Sequence, residues 1–103
     1  MTRVNYSKDL HRMEIKGHAG SAPCGEDLVC AAVSILSFQL MAAASDYPEY
    51  NASYYLNDLD GVITVECNPD EDYEERCEYM FEVILTGFEV LAGKYPMYVS
   101  IGG

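Results

Sequence analysis

The spacing of apolar residues predicts a pair of strands at the start of the chain. Apolar and polar side chains alternate over residues 11–16, which places Met13 and Ile15 on one face of a half-buried strand. A turn at residues 7–9 separates this strand from an earlier one, and His11 is predicted to be an exposed strand residue. Residues 17–27 contain three glycines and a proline, a composition typical of a turning or mobile loop.

The next segment predicts a helix that starts at Glu26 or Asp27 and runs to about Ala44. Acidic residues favour the first turn of a helix, where they cap its free N–H groups. Residues 28–45 carry no charge, but serines and a glutamine interrupt them and Asp27 and Asp46 bracket them, which indicates a buried helix and not a membrane span. A helix that is apolar almost all round has to be covered on more than one side. A chain this small has few other elements to bury such a helix, and a second copy of the chain can cover the remaining apolar side. The sequence therefore predicts a homodimer.

The second half of the chain predicts a hairpin, an amphipathic helix and a last strand. Residues 53–56 and 62–67 flank Asp60-Gly61, a strong hairpin signal. Asn68 then reads as a helix N-cap, with Pro69 at the first helical position and Gly93 at the end. Residues 95–101 are predicted to form the last strand, and Pro96 suits a sheet edge or a strand start. The helix between Asn68 and Gly93 is amphipathic. Its core-facing side is predicted to carry Tyr73, Cys77, Met80, Ile84, Phe88 and Leu91, opposite a row of glutamates.

The resulting order of elements is ββαββαβ. It predicts an α+β fold in which two helices pack on a mainly antiparallel sheet. A length of 103 residues suits one domain spanning residues 1–103.

Composition narrows the classes of function. Six Lys and Arg residues against 17 Asp and Glu give a formal charge of −11, which argues against a protein that binds nucleic acid directly. The charge suits a solvated acidic surface or a basic protein partner. The first ten residues lack an apolar signal segment, so a cytoplasmic location with reduced thiols is expected. The four cysteines lack close Cys-x-x-Cys spacing, and neither a metal site nor a cofactor is predicted.

His18 and Cys30 are the residues that suggest catalysis. Cys30 lies in the first turn of the predicted helix, whose positive end stabilises a thiolate. A neighbouring imidazole can take the thiol proton and later protonate a leaving amine, and the free N–H groups of the helix start can hold an oxyanion. Asp27 and Ser34 are predicted to share the helical face of Cys30, where they can orient the imidazole or the substrate.

Spacing alone also allows a structural interpretation. A cysteine in an apolar helix is typical of a small buried side chain, and Asp27 is typical of a helix cap. Cys67 and Cys77 are assigned to packing, whereas Cys24 is either idle or able to pair with Cys30 on oxidation. Four tyrosines can line a groove for an apolar peptide or simply pack: Tyr47, Tyr50, Tyr54 and Tyr55.

Two runs of residues resemble a known family. The run from Gly17 to Gly20 (GHAG) and the run from Asp27 to Ser34 (DLVCAAVS) are similar to the signature of the bacterial ribosomal-processing cysteine proteases called Prp. The resemblance extends along the whole chain, including the Asp60-Gly61 hairpin, the acidic second helix and the tail from Gly87 to Val99.

The resemblance implies a specific activity. Members are small homodimeric α+β proteins of Gram-positive and related bacteria, and they remove an N-terminal extension from large-subunit ribosomal protein number twenty-seven, cutting after an aromatic residue in a short hydrophobic motif. Carried over to this sequence, Cys30 is the nucleophile, His18 its base, and Asp27 and Ser34 have supporting roles. The loop that closes over the substrate would move at its glycines, which are Gly17, Gly20 and Gly25.

Two alternatives stay open beside the protease. An acidic, non-enzymatic binding module would hold a basic ribosomal protein, indifferent to Cys30 and weakened by salt. A thiol redox switch would use Cys24 and Cys30.

Overall fold

A computed structural model describes residues 1–17 and 27–102 of the chain. Five strands and two long helices follow the predicted order: β1 (Thr2–Ser7), β2 (Arg12–Lys16), α1 (Leu28–Ala44), β3 (Ser53–Asn57), β4 (Val62–Glu66), α2 (Glu74–Lys94) and β5 (Val99–Gly102). Short 3₁₀ helices occupy Pro48–Tyr50 and Glu71–Tyr73. The α+β class and the element order are therefore confirmed.

One mixed sheet holds all five strands, in the order β3-β4-β2-β1-β5. Every pair of neighbours is antiparallel except β1 and β5, which are parallel. Register sets Val4 opposite Ile15 and Ile15 opposite Ile63, so one apolar row crosses three strands. Side chains alternate between the two faces along each strand. This apolar row therefore faces the two helices, whereas the residues next to it on each strand point to the opposite face of the sheet.

The core lies between this sheet face and the helices. Val4, Met13 and Val65 from the strands have no exposed surface, as do Leu40 of α1 and Phe81 of α2. At the helix crossing, a Cβ on Gly87 would lie 2.7 Å from Cδ2 of Leu36, so glycine allows close approach there. Among the described residues, no helix is both long and apolar enough to cross a membrane.

The start of α2 differs from the prediction. Asn68 and Pro69 precede a 3₁₀ turn, and the regular helix begins only at Glu74. The amides of Asn68 and Asp70 donate to the carbonyls of Tyr50 and Glu49, so this segment is bound to another part of the chain instead of capping a helix. At the other end α2 continues through Gly93 to Lys94, and Pro96 lies before β5 and not inside a strand.

His11 is also placed differently from the prediction. It occupies the turn between β1 and β2 with a φ of 48°, and it is not part of a strand. Its side chain is only 15% exposed because the ring packs against α2, where Nε2 lies 3.1 Å from Oε2 of Glu78. A long-range partner, invisible in the local pattern, therefore decides the burial of this residue.

Candidate active site

Asp27 fixes the helical turn that carries Cys30. One carboxylate oxygen of the buried Asp27 accepts from the amide of Val29 at 2.8 Å and from that of Cys30 at 3.1 Å, while its carbonyl accepts from Ala31. This is an N-cap, one of the two roles that the sequence allowed for Asp27. The three amides are engaged by Asp27, so the structure does not offer them as the oxyanion donors that the sequence suggested.

Cys30 opens onto a mostly apolar cavity of about 260 Å³ between α1 and the β3–β4 hairpin. The thiol is half-buried. Ser34, one helical turn further, lines the same cavity. The remaining walls come from α1, the hairpin and the first strands: Thr2, Ile15, Gly17, Val33, Ser37, Phe38, Leu56, Asn57, Asp58, Gly61, Val62 and Ile63.

Gly17 joins β2 to the hairpin at one end of this cavity. Its amide donates to the carbonyl of Gly61 at 2.9 Å, and its φ of 98° lies in the region that favours glycine. A Cβ at this position would overlap the carbonyl oxygen of Met1. A side chain is therefore excluded for both conformational and steric reasons.

The structure brings together three of the predicted site residues. Cys30, Ser34 and Gly17 line one cavity, whereas Asp27 supports it from the helix start. Four others, namely His18, Gly20, Gly25 and Cys24, lie outside the described residues. The base, the rest of the loop and the Cys24–Cys30 pairing stay predictions.

Sequence reasoning missed the apolar walls of the cavity. Phe38 follows Cys30 by eight residues, and the helical period from Cys30 through Ser34 could have identified it. Leu56 and Val62 had no such signal, because the pairing of β3 with β4 and the placement of the hairpin beside α1 bring them to the site.

The tyrosine groove is not part of this cavity. Tyr47 and Tyr50 pack edge-on at 5.2 Å, both lie near Tyr73, and the guanidinium of Arg76 stands 4.9 Å from the ring of Tyr47. Tyr54 and Tyr55 lie on β3, and neither lines the cavity. The packing interpretation therefore holds for Tyr47 and Tyr50.

Cys67 and Cys77 are buried, as packing residues should be. A hydrogen bond between their thiols lowers the pKa of Cys67 and raises that of Cys77, and burial raises the pKa of Cys77 further. With exposures of 3% and 0%, neither sulfur can reach a substrate. Among the described cysteines, only Cys30 is open to a cavity that can hold a peptide side chain.

The comparison with known proteins decides the family. The family model described as "Cysteine protease Prp" matches residues 1–100. The chain belongs to the Prp cysteine protease family. The predicted enzyme class, a cysteine protease, is therefore confirmed.

Solved structures share the Prp fold along almost the whole chain. A Staphylococcus aureus ribosomal processing protease Prp with a covalently linked product peptide has a TM-score of 0.81 and 16% identity, covering 98% of this chain and 95% of that one. The same S. aureus protease with a substrate peptide has a TM-score of 0.71 and 14% sequence identity, covering 98% of this chain and 95% of that one. SMU.848 of Streptococcus mutans has a TM-score of 0.72 and 30% sequence identity, covering 97% of this chain and 89% of that one. No match was found among curated protein sequences.

Proposed function

We propose that this Prp-family protease removes the N-terminal extension of large-subunit ribosomal protein number twenty-seven during ribosome assembly. The observation that carries the proposal is the position of Cys30, in the first turn of α1 and at the wall of an apolar cavity. The S. aureus relatives, crystallised with product and substrate peptides, are ribosomal processing proteases. The resemblance of the GHAG and DLVCAAVS runs supports the same substrate.

In this mechanism the sulfur of Cys30 attacks the scissile carbonyl. His18 takes the thiol proton and gives it to the leaving amine as the peptide C–N bond breaks. Water then attacks the acyl-enzyme carbonyl and gives a proton to His18; the C–S bond breaks, the new carboxylate leaves, and the sulfur of Cys30 regains its proton from His18. The positive end of the α1 dipole stabilises the thiolate before attack. His18 follows Gly17, which lines the same cavity as Cys30.

The cavity suits the aromatic residue that precedes the cleaved bond. Its walls are largely apolar, with Phe38, Leu56, Val62 and Ile63 among them, and its volume is sufficient for one aromatic side chain. Asn57 and Asp58, at the rim supplied by the hairpin, add polar groups that can meet the peptide backbone. Ser34 and Asp27 serve as positioning residues, Asp27 through the cap that fixes the Cys30 turn.

A mass-spectrometric assay tests the protease. The wild type is expected to remove a defined N-terminal peptide from the ribosomal precursor of the same genome, whereas Cys30→Ala and His18→Ala leave the precursor intact. A precursor whose aromatic residue before the cut is replaced by aspartate serves as the matched substrate control and should resist cleavage.

Two outcomes would contradict the proposal. Cleavage by Cys30→Ala at the wild-type rate would remove the nucleophile from the mechanism. A stable, salt-sensitive complex with the uncut precursor in both wild type and Cys30→Ala would instead favour the acidic binding module.

A homodimer is the second part of the proposal. α1 contains no charged residue, and its outward side exposes Leu28, Ile35 and Phe38 by 80%, 66% and 56%. These three residues recur at helical spacing and form one apolar stripe on the surface, which we call the α1 stripe. A second copy of the chain would cover the stripe and remove this apolar area from water.

Sedimentation of wild type and of Ile35→Glu tests the dimer. The wild type should sediment as a dimer and Ile35→Glu as a monomer with unchanged circular dichroism. Val90→Glu is the matched control, because Val90 is 53% exposed on α2, outside the stripe. A monomeric wild type at micromolar concentration, or equal dissociation by both variants, would contradict the dimer.

A further inference from the structure

Three metal-ligating side chains converge where the β1–β2 turn meets the first turns of α2. Nε2 of His11 lies 3.1 Å from Oε2 of Glu78, and Glu74 precedes Glu78 by one helical turn. One ligand atom from each of the three residues lies within 4.8 Å of the other two. We propose that His11, Glu74 and Glu78 form a binding site for a divalent transition-metal ion, with Zn²⁺ as the preferred ion.

The imidazole is held in place by its backbone. The amide of His11 donates to the carbonyl of Lys8 at 3.2 Å, and its carbonyl accepts from the amide of Cys67 at 2.8 Å. These two bonds tie the turn to itself and to the end of β4, so the ring is directed against α2. With 15% of its side chain exposed, His11 is shielded but still reachable by an ion from solvent.

The two carboxylates come from one face of α2. Residues four apart on a helix are neighbours, which places Glu74 and Glu78 side by side towards His11. Glu78 is 21% exposed and Glu74 is more open, so the solvent side leaves room for bound water. Three protein ligands and an open position are a common arrangement around zinc.

No lysine or arginine of the described protein neutralises this cluster. Within residues 1–17 and 27–102, neither Glu74 nor Glu78 pairs with a lysine or arginine, and the guanidinium of nearby Arg76 lies over the rings of Tyr47 and Tyr73. Three more carboxylates line the same depression, from Glu71, Asp72 and Glu75. The negative charge that gathers there attracts a cation, which the nearby imidazole can ligate.

The field of the cluster reaches the protein interior. The pKa of Tyr6 is raised to about 12, first by burial and then by the negative charges of Glu78 and Glu82. Its hydroxyl is buried and has no hydrogen-bond partner among the described residues. A cation at the cluster would offset the negative field at this hydroxyl.

The donor set selects the kind of ion. Oxygen ligands alone would favour Mg²⁺ or Ca²⁺, but an imidazole nitrogen shifts preference towards first-row ions such as Zn²⁺. None of the three residues lines the cavity at Cys30, so the site is separate from the protease chemistry.

Titration calorimetry of the metal-free full chain with ZnCl₂ at moderate salt tests the site. One saturable equivalent is expected. Glu74→Gln and Glu78→Gln should each weaken binding by more than about tenfold, because even the loss of an outer-shell partner of a metal ligand costs about 10–100-fold. The matched controls Glu71→Gln and Glu75→Gln remove the same charge from the same surface. They should change the affinity by no more than roughly twofold, because charges that do not touch the ion are screened.

Cobalt and thermal melting distinguish this site from the thiols. Co²⁺ bound here should lack the near-ultraviolet sulfur-to-cobalt charge-transfer band. At a fixed concentration, Zn²⁺ should raise the Tm of the wild type by more than that of Glu74→Gln. Glu74 is exposed, which keeps that variant informative even where His11→Gln unfolds the turn.

Three results would overturn the site: no saturable binding, equal weakening by all four glutamine variants, or a strong thiolate band. The first removes the site, the second reduces it to diffuse attraction, and the third moves the ion to a cysteine.

Discussion

The two helices share a core but differ on their outward sides. α1 has no charged residue in 17, whereas α2 has five glutamates, one arginine and one lysine in 21. Their inward residues are alike, with Leu40 of α1 and Phe81 of α2 both fully buried. The shared core explains the fold, whereas the chemistry of the two helices differs: α1 carries the proposed nucleophile and the apolar stripe, and α2 carries the negative charge.

The helix starts differ in the same way. α1 is capped by the side chain of Asp27, which sets the turn of Cys30, whereas α2 begins after a 3₁₀ turn with no side-chain cap. The segment before α2 is held instead by backbone hydrogen bonds to the carbonyls of Tyr50 and Glu49. Under the proposed mechanism, the side-chain cap of α1 lies where the position of the thiol matters for the reaction.

The largest difference is expected between alanine substitutions at inward and outward helix positions, measured as the loss in free energy of unfolding. Phe81→Ala removes a fully buried ring that stacks on Tyr6 at 5.3 Å, and it should lower the free energy of unfolding by about 3–5 kcal/mol. Ile35→Ala on the α1 stripe should change it by less than about 0.5 kcal/mol in the monomer. Urea unfolding at low protein concentration measures both. Similar losses at the two positions would show that the stripe is part of the core.

Two glycines of α2 test the closeness of the helices. Gly87→Ala sets a methyl group 2.7 Å from Leu36 of α1, whereas Gly93→Ala meets nothing within 4 Å. Gly93→Ala should stabilise the protein by roughly 0.5–1 kcal/mol through helix propensity. Gly87→Ala should destabilise it by about 1 kcal/mol or more because of overpacking. Thermal or urea unfolding compares the pair, and stabilisation by both would mean that Leu36 moves aside without cost.

Asp27 provides a test of the capped helix start. Asp27→Ala should cost about 1 kcal/mol in the free energy of unfolding, the usual effect of losing an N-cap. Asp27→Asn keeps an acceptor oxygen and should lose much less. If the cap is what positions Cys30, kcat for precursor cleavage should fall further in Asp27→Ala than in Asp27→Asn. Equal kcat losses with unequal stability losses would assign the carboxylate charge itself to the reaction.

The sequence predicted what depends on local signals. Residue 27 as a cap, Ala44 as the end of α1 and the Asp60-Gly61 hairpin all rest on short-range patterns, and the structure confirms them. The placement of Cys30 near the start of α1 follows from the same cap. The chemistry proposed for Cys30 rests on a local signal too, because the helix start and the thiol are adjacent in the sequence.

The features that the sequence did not predict depend on contacts between residues far apart in the chain. His11 is buried by Glu78, which lies 67 residues away, and Asn68 is bound by the carbonyl of Tyr50 instead of capping α2. The walls of the cavity similarly combine α1 with Leu56 and Val62 of the hairpin. No periodicity within one element encodes how a helix and a hairpin are placed beside each other, so these features required the structure.

The smallest effect at neutral pH is expected for Tyr6, a residue of β1 whose pKa responds to the negative charge of α2. The pKa of Tyr6 is raised from 10.0 to about 12, mainly by burial and further by Glu78 and Glu82. Between these two pH values the unfolded chain gives up the Tyr6 proton while the folded chain keeps it, so stability is present below pH 10 and falls as the pH rises towards 12. In Tyr6→Phe this part of the decline should vanish. At pH 7 the change should be slight, because the lost hydroxyl has no hydrogen-bond partner among the described residues.

Urea unfolding at pH 7 and at steps up to pH 11 checks this shift, with Tyr79→Phe as the control because Tyr79 is 68% exposed. Tyr6→Phe should fall less steeply than the wild type above pH 10, and Tyr79→Phe should follow the wild type. Glu82→Gln should also flatten the decline, but by less, since burial remains when one charge is removed. A Tyr6→Phe curve parallel to the wild type would mean that the hydroxyl ionises as readily in the folded chain as in the unfolded one, and that the charge of α2 stays at its surface.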